Sequence, residues 1–357
     1  MRSTCRWRLP VTTSAVIGWD LGGAHLKAAR LSGSGRIDRV VQRPCPLWQG
    51  MSHFFTALDA ALEAMGSAPR HAVTMTGEMV DLFRTRGEGV ATLVAAMRER
   101  LPGGELLFFA GRDGWLDPSV ATQSPSRVAS ANWMASAALV ADRLDEGLLV
   151  DIGSTTTDLV PVSGGAVHAM GYDDASRLVA GELVYTGVVR TPLMAVAERA
   201  PFQGQSIPLV AEYFATTADI HRILGTLPEE ADQHPAADGG PKTIEASARR
   251  LARMIGRDLE SAPIDQWREL AQSLVAAQRR RIDVGCGAVI VRSGLPPESP
   301  LVAAGVGRFL VPGLAAAAGR RVVDFGSLIP AEPEVRSLIA DCAPAAAVAW
   351  LAARQSA

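Results

Sequence analysis

The sequence predicts an α/β protein of two lobes, each opening with a three-stranded antiparallel meander in a mixed sheet with helices. Three observations predict it. First, two stretches follow one plan: Val-Ile-Gly-Trp-Asp-Leu-Gly-Gly-Ala-His-Leu-Lys at 16–27 and Leu-Val-Asp-Ile-Gly-Ser-Thr-Thr-Thr-Asp-Leu-Val at 149–160. Each is an apolar run ending in Asp, then a small-residue turn, then a second apolar run. Second, the two aspartates, Asp20 and Asp151, stand 151 − 20 = 131 residues apart, about one domain length. Third, strand-like and helix-like periods alternate after each copy. At 357 residues and 48% hydrophobic, the chain can bury two cores.

The elements follow in order. Residues 15–20 and 26–31 read as strands flanking the first Gly-rich turn, and 36–42 follows the Ser-Gly-Ser-Gly turn at 32–35. Phe54, Phe55, Leu58, Leu62 and Met65 share one face of a helix over 51–65. A short strand is expected at 72–76, an amphipathic helix at 89–101, a strand at 105–110 and a helix at 131–144. The second copy repeats the opening, with strands at 148–151, 158–162 and 166–170. Residues 210–282 read as a mostly helical insertion with a polar break at 228–241. A strand is expected at 288–292, a helix at 301–311, a strand at 321–325 and a last helix at 334–353. The expected domains are a disordered leader at 1–14, a first lobe at 15–147 and a second lobe at 148–357.

Composition excludes several classes. The formal charge of −2 carries no basic bias toward nucleic acid. The four cysteines, Cys5, Cys45, Cys286 and Cys342, form no C-x-x-C pair, which fits reduced thiols in a cytoplasmic protein. The opening arginine-bearing segment lacks the apolar stretch of a signal peptide. No uncharged apolar run nears the ~20 residues that cross a bilayer, so no membrane partner is expected.

The chemistry concentrates in the two turns. In Asp151-Ile152-Gly153-Ser154-Thr155-Thr156, glycine permits close backbone approach, and hydroxyl residues add donors to an array suited to phosphate oxygens. A carboxylate beside a polyphosphate calls for a cation, and Mg²⁺ held by one or two carboxylates plus phosphate is the natural choice. Asp20-Leu21-Gly22-Gly23-Ala24 supplies a second turn, with Lys27 as a neutralising charge. Either turn alone reads as an ordinary Asp-capped hairpin. The pair at domain spacing shifts the reading to phosphate held between lobes. Gly239-Gly240-Pro241-Lys242-Thr243 lacks the Walker A spacing and preceding strand, so it reads as a loop before a helix. Asp219, His221, Asp232, His234 and Asp238 are conceivable metal ligands, but match no compact metal motif and read first as a solvated loop. Trp19 would stack on an aromatic substrate or, more ordinarily, pack in the core.

The two Asp-x-Gly turns resemble the phosphate-1 and phosphate-2 motifs of the actin-like ATPase superfamily, whose fold is ribonuclease H-like. Ala303-Ala304-Gly305-Val306-Gly307 resembles its adenosine motif, which implies a nucleotide-like pocket at Gly305 and Gly307. The first turn departs from that pattern at Gly23-Ala24, where Thr is common. The stretch 151–158 is similar to the hydantoinase A/oxoprolinase group. Residues 75–79, 181–188, 190–192 and 219–234 resemble its branch tied to tetrahydromethanopterin-linked one-carbon metabolism. That branch includes an archaeal synthase joining a furan-methyl diphosphate to a tyramine-derived phenol in methanofuran biosynthesis. The resemblance implies a bacterial relative serving methylofuran in a methylotroph.

On this resemblance the chain is expected to be a transferase of a furanylmethyl group with pyrophosphate as leaving group. Gly22, Gly23, Ala24, Gly153, Ser154, Thr155 and Thr156 would bind the diphosphate, Asp20 and Asp151 would hold Mg²⁺, and Lys27 would assist departure. Glu78, Glu182 and His221 are candidate bases, and Arg190 is a candidate substrate contact. For each base the structural alternative, a cap or a solvated helix face, ranks first. Two other functions stay open: an ATP-dependent small-molecule kinase or hydantoinase-like hydrolase, and a non-catalytic nucleotide-sensing protein. The expected partners are a small-molecule diphosphate and a phenolic amine.

Overall fold

The structure, a computed structural model, describes residues 14–355. The expected leader therefore lies outside the described residues apart from Ser14, as does Cys5. In chain order the elements begin with β1 Val16–Leu21, β2 His25–Leu31, β3 Ile37–Pro44, α1 Met51–Met65, β4 Arg70–Met75, α2 Arg86–Arg100, β5 Glu105–Phe109 and β6 Trp115–Leu116. They continue with α3 Pro118–Gln123, α4 Pro125–Val128, α5 Asn132–Arg143, β7 Gly147–Ile152, β8 Thr157–Ser163, β9 Ala166–Val167, α6 Asp174–Ala180 and β10 Leu183–Val184. Then follow β11 Arg199–Phe202, β12 Gln205–Pro208, α7 Thr217–Ile223, α8 Ile244–Arg253 and α9 Ile264–Ser293. The last are β13 Leu301–Ala304, α10 Val311–Ala317, β14 Val322–Asp324, α11 Arg336–Asp341 and α12 Ala343–Ala353.

The contacts divide the chain into two compact units. The first holds residues up to 147, 162–168 and those from 323 onward; the second holds 148–161 and 169–322. The C-terminal segment from 323 thus packs with the first unit, where the sequence reading had placed it in the second lobe. The reason is apolar area: every residue of α12 except Leu351 is buried.

In the first unit the sheet order is β3-β2-β1-β4-β5-β6. β1 pairs antiparallel with β2 and parallel with β4. Ile17, Trp19 and Leu21 project into a core shared with Phe54 and Leu58 of α1 and Leu93 and Met97 of α2. The opposite face carries Gly18, and α12 lies on it so closely that a Cβ there would stand 2.0 Å from the Ala345 carbonyl oxygen. β1 is central and covered on both faces, so its run is continuously buried rather than alternating.

The second sheet has the order β10-β8-β7-β13-β14, with β9 pairing β8. β13 runs parallel to β7, placing Ala304 beside Asp151. A separate core joins Phe202, Ile220, Leu251, Trp267 and Leu270 around the β11–β12 hairpin, α7, α8 and the first half of α9. Trp267 stacks on Phe202 at 4.8 Å between ring centroids, and its indole N–H donates to the Leu259 and Ala262 carbonyls.

Three expectations are corrected. Residues 288–292 continue α9, because Gly285, Cys286 and Val289 fall on one buried helical stripe and the helix runs on to Gly294 in the left-handed conformation. A short apolar run does not distinguish the two periods. Residues 301–304 are a strand because they pair with β7, and the helix begins only at Val311. The last helix is two, bent by 109°. Pro344 sits in the first turn of α12, where it lacks an N–H to continue α11. No single helix among the described residues is long and apolar enough to cross a membrane.

Candidate functional site

The second unit builds a donor-rich turn at the end of β7. The Gly153 N–H donates to the Thr156 carbonyl at 2.8 Å, closing a tight bend. Within it the Ser154 and Thr155 N–H groups donate no backbone hydrogen bond among the described residues. Their hydroxyls lie 3.4 Å apart. Asp151, Gly153, Ser154, Thr155 and Thr156 are all half-buried. Peptide N–H groups with adjacent hydroxyls at such a turn are chemically suited to an anion.

A second loop, 186–191, braces this turn from behind. The Val188 N–H donates to the Gly153 carbonyl at 3.1 Å, and the Val189 and Arg190 N–H groups donate to the Ser154 carbonyl at 3.1 and 2.8 Å. The Gly187 N–H donates to the Thr191 hydroxyl at 2.8 Å. Gly187 is a glycine of necessity, since a Cβ would stand 2.4 Å from the Ser154 carbonyl carbon and the Thr155 nitrogen. Arg190, the expected substrate contact, is half-buried and tied to the turn by its main chain.

Gly305 and Gly307 back the same strand end. Gly305 has φ +79°, and a Cβ on it would meet the Ile152 carbonyl oxygen at 2.3 Å and Asp151 Oδ1 at 2.4 Å. The Gly307 N–H donates to that carbonyl at 2.8 Å. The glycines expected at a nucleotide-like pocket thus permit close packing against Asp151 and Ile152. Arg308 follows, with its guanidinium Nη1 donating back to the Gly305 carbonyl at 3.2 Å.

The first unit's turn is drier. Asp20 is 5% exposed and stands directly across the ladder from Lys27. Lys27 Nζ donates to the Asp341 carbonyl at 2.7 Å, at the end of α11. The Gly22 N–H closes the turn on the His25 carbonyl at 3.0 Å. Gly23 is half-buried, Ala24 is buried, and neither brings a hydroxyl. Trp19 is core: its indole N–H donates to His71 Nδ1 at 3.1 Å. That bond leaves the His71 proton on Nε2, and burial lowers its pKa to about 4.

The candidate bases separate. Glu182 is fully buried and accepts from the Met170 and Gly171 N–H groups and from Arg292, so it is spent on holding the 170–171 bend. His221 is also fully buried. The Gln278 amide N–H₂ donates to the Gly187 carbonyl at 2.7 Å and reaches the Thr186 hydroxyl at 3.1 Å. Its amide oxygen therefore faces His221 Nε2, which carries the proton and donates at 2.9 Å. Burial lowers this pKa too, to about 4, so the ring stays neutral. Glu182 and His221 thus serve the scaffold. Glu78 is 1% exposed, with Oε1 accepting from the Ser130 hydroxyl at 2.9 Å. Its Oε2 has no hydrogen-bond partner among the described residues, and burial raises the carboxyl pKa. Ser130 itself sits at φ +51°.

The aspartates of the acidic and histidine-bearing cluster resolve into ion pairs. Arg250 clamps Asp219 at 2.8 Å and Asp238 at 3.0 Å, while Arg222 and Lys242 take Asp232. No group of three or more metal-ligating His, Cys, Asp or Glu side chains occurs among the described residues. The Lys242 loop does precede a helix, with Thr243 as the N-cap of α8. Sequence reasoning missed Gln278 and Arg308. Gln278 gave no signal on a long polar helix. Arg308 was readable as the cation next to the Gly-x-Gly at 305–307.

Residues 70–349 match the Hydantoinase/oxoprolinase family. The chain is 31% identical over 261 residues to the (4-{4-[2-(gamma-L-glutamylamino)ethyl]phenoxymethyl}furan-2-yl)methanamine synthase of Methanocaldococcus jannaschii, covering 72% of this chain and 77% of that protein. It is 34% identical over 131 residues to the protein of the same name from Methanococcus vannielii, covering 36% of this chain and 59% of that protein. The nucleotide-free structure of acetone carboxylase aligns with TM-score 0.51 and 10% identity, over 86% of this chain and 69% of that one. The fold is the actin-like ATPase fold expected from the paired turns.

Proposed function

The chain belongs to the hydantoinase/oxoprolinase family, and from that premise we propose that it is a transferase joining a furanylmethyl diphosphate to a tyramine-derived phenol, with release of pyrophosphate, in methanofuran or methylofuran biosynthesis. The product named for both archaeal relatives contains an aryl ether on a furan-bearing methylene. Forming that bond from a phenol requires a leaving group on the methylene carbon, and a furan ring stabilises the cationic character that develops there. The observation that carries the reading is the Ser154–Thr155 turn, whose N–H groups and hydroxyls suit a phosphate-type leaving group.

The residues take these parts. Ser154, Thr155 and Thr156, with Gly153 permitting close approach, hold the diphosphate. Gly22, Gly23, Ala24 and Lys27 serve phosphate in the first unit. Asp151 would hold Mg²⁺ at this turn, and Asp20 is the corresponding carboxylate of the first unit; a carboxylate with hydroxyl and phosphate oxygens fits that hard cation. When bound, Mg²⁺ supplies charge neutralisation on the departing group. The C–O bond to diphosphate breaks with its electron pair passing to the leaving oxygen. The phenol oxygen bonds to the methylene, and the phenol proton passes to a base. Glu78 is the base we retain, because burial raises its affinity for a proton. The protein works in the cytoplasm, on these two small molecules.

The test incubates purified protein and Mg²⁺ with either the furan diphosphate plus phenolic amine or ATP, and measures ether, pyrophosphate and phosphate. Ether with equimolar pyrophosphate and no ATP demand is the expected result. ATP-dependent phosphate or ADP formation without ether would replace this reading with a kinase or hydrolase. Asp151→Asn should lower pyrophosphate release at least ~100-fold if the carboxylate serves the leaving group.

A further inference from the structure

We infer, on the reading of Glu78 as the base of the proposed transfer, that Ser130 is its positioning residue: the Ser130 hydroxyl holds Oε1 and leaves Oε2 to take the phenol proton. The backbone supplies the first observation. Ser130 lies between α4 and α5 at φ +51°. A left-handed residue just past a helix is ordinarily glycine, because a Cβ is strained there. Among the described residues Gln203 is the other non-glycine at positive φ. It forms, with Gly204, the two-residue turn of the β11–β12 hairpin, which demands that conformation. Ser130 has no hairpin to close. It is 5% exposed, and its hydroxyl donates to Glu78 Oε1 at 2.9 Å, with Met79 Sδ 3.1 Å away. The strained position carries the side chain that reaches the carboxyl.

Glu78 is fixed from three sides. The Thr76 N–H donates to the Leu21 carbonyl at 3.0 Å. A Cβ on Gly77 would stand 3.0 Å from that oxygen and 3.3 Å from the Gly22 carbonyl carbon, so the chain enters Glu78 against the first Asp-x-Gly turn. α2 lies on the Glu78 main chain: a Cβ on Gly89 would stand 2.6 Å from its carbonyl oxygen and 2.7 Å from its Cα. Ser130 supplies the third hold, on the side chain. Glu182 shows how this chain treats a carboxylate that only braces the fold. Its Oε1 accepts from the Met170 N–H and Arg292, and its Oε2 from the Met170 and Gly171 N–H groups. Glu78 is as deeply buried, yet its Oε2 has no hydrogen-bond partner among the described residues. A bare acceptor in the interior costs stability, and it has a use where a proton must be received. Burial raises the proton affinity of the carboxyl. The Ser130 hydroxyl, the main chains of Glu78 and Ser130, and the charge of Arg86 on α2 oppose that rise.

The experiment follows ether and pyrophosphate formation by the full chain, with Mg²⁺, the furan diphosphate and the phenolic amine. Wild type, Ser130→Gly, Ser130→Thr, Glu78→Gln and the double variant Ser130→Gly/Glu78→Gln are compared, with folding followed by circular dichroism. Ser130→Gly removes the hydroxyl and relieves the backbone. Its kcat should fall about tenfold or more, with KM for the furan diphosphate unchanged. Ser130→Thr keeps a hydroxyl but sets a β-branch at positive φ, so its melting temperature should fall while kcat stays within about threefold of wild type. In the Glu78→Gln background, Ser130→Gly should change the remaining rate by less than about twofold, because it acts through that carboxyl. If Ser130→Thr does not fold, the two Ser130→Gly comparisons decide. Folded Ser130→Gly with the wild-type kcat, or with the same loss in both backgrounds, would overturn the positioning role and leave the transferase reading standing. A folded Ser130→Thr as slow as Ser130→Gly would do the same. Glu78→Gln with the wild-type kcat would remove Glu78 as the base and Ser130 with it. Wild type that forms no ether would overturn the transferase reading and this role together.

Discussion

Gly187 is the residue on which the Ser154–Thr155 turn is most exposed to a single atom. Its missing Cβ leaves room for Ser154 and Thr155, whose backbone would otherwise lie 2.4 Å away. Backbone cannot rotate aside as a side chain can. Gly187→Ala should therefore cost about 1–3 kcal/mol of stability and displace the turn. Gly287 is the control: it sits on the exposed face of α9 with nothing within 4 Å of a built Cβ. Gly287→Ala should instead stabilise by about 0.5–1 kcal/mol through helix propensity and reduced unfolded-state freedom. Urea melts of both variants, with pyrophosphate titration of each, would check the contrast; similar melts would refute it. The buried histidines make a second prediction at this scale. His71 and His221 have pKa values lowered to about 4 by burial, against 6.5 when unfolded. Between those values the unfolded chain binds more protons, so stability is full above pH 6.5 and falls as pH drops toward 4. The loss should reach roughly 3 kcal/mol per histidine. Denaturation midpoints at pH 7.5, 6 and 5 test this, and a stability that rises on acidification through that window would contradict it.

α9 shows how an element far from the turn in sequence supports it. Gln278 reaches from this helix to the Gly187 carbonyl, the Thr186 hydroxyl and the His221 ring. Gln278→Leu would leave all three buried groups without that partner. A cost of about 2–4 kcal/mol is expected, since each unmade buried bond costs on the order of 1–3. Pyrophosphate affinity should fall with it, because Gly187 seats the Ser154 peptide. Affinity unchanged in a destabilised but folded variant would separate the helix from the turn. The same element marks where sequence reading stopped. β1, β2, β7 and β8 were legible because each hairpin carries an Asp-x-Gly turn and a continuous apolar run. Asp151, Gly153, Ser154 and Thr155 were legible with them, since their donors are local in sequence. Residues 288–292 were not, because the four apolar residues Ala288 to Val291 satisfy a strand period and a buried helix alike. Glu182, His221 and Asp219 were visible as chemical groups, but their partners Arg292, Gln278 and Arg250 lie more than 30 residues away. Only tertiary contacts reveal that those groups are already occupied.

At the scale of the whole chain, the first unit is completed by its last helices. The face of β1 that carries Gly18 and Asp20 is covered by α12, whose Ala345 carbonyl would stand 2.0 Å from a Cβ at Gly18. The Trp350 indole N–H donates to Asp142 at 3.3 Å, and its ring lies 4.2 Å from the Arg143 guanidinium carbon. Arg70 Nη1 donates to the Ala352 carbonyl at 3.0 Å, and Lys27 Nζ to that of Asp341. Ending the chain at Val335 would strip α11 and α12 from this sheet. It would expose the buried side of α5, including Ala135 and Leu139, together with the backs of β1 and β2. Apolar area on that scale is worth about 25 cal/mol per Å², so the loss exceeds the few kcal/mol by which a domain is stable. The truncated chain should lose a cooperative unfolding transition, bind a hydrophobic dye and become sensitive to protease within residues 16–143. Gly18→Leu makes the same point in the full chain, since it forces α12 away from β1 and should produce the same signatures. A truncated chain that melts as cooperatively as wild type would mean that the sheet can close without its C-terminal helices. The expected result makes the first Asp-x-Gly turn dependent on residues more than 300 positions later, because Lys27 and the cover over Asp20 are both supplied by the end of the chain.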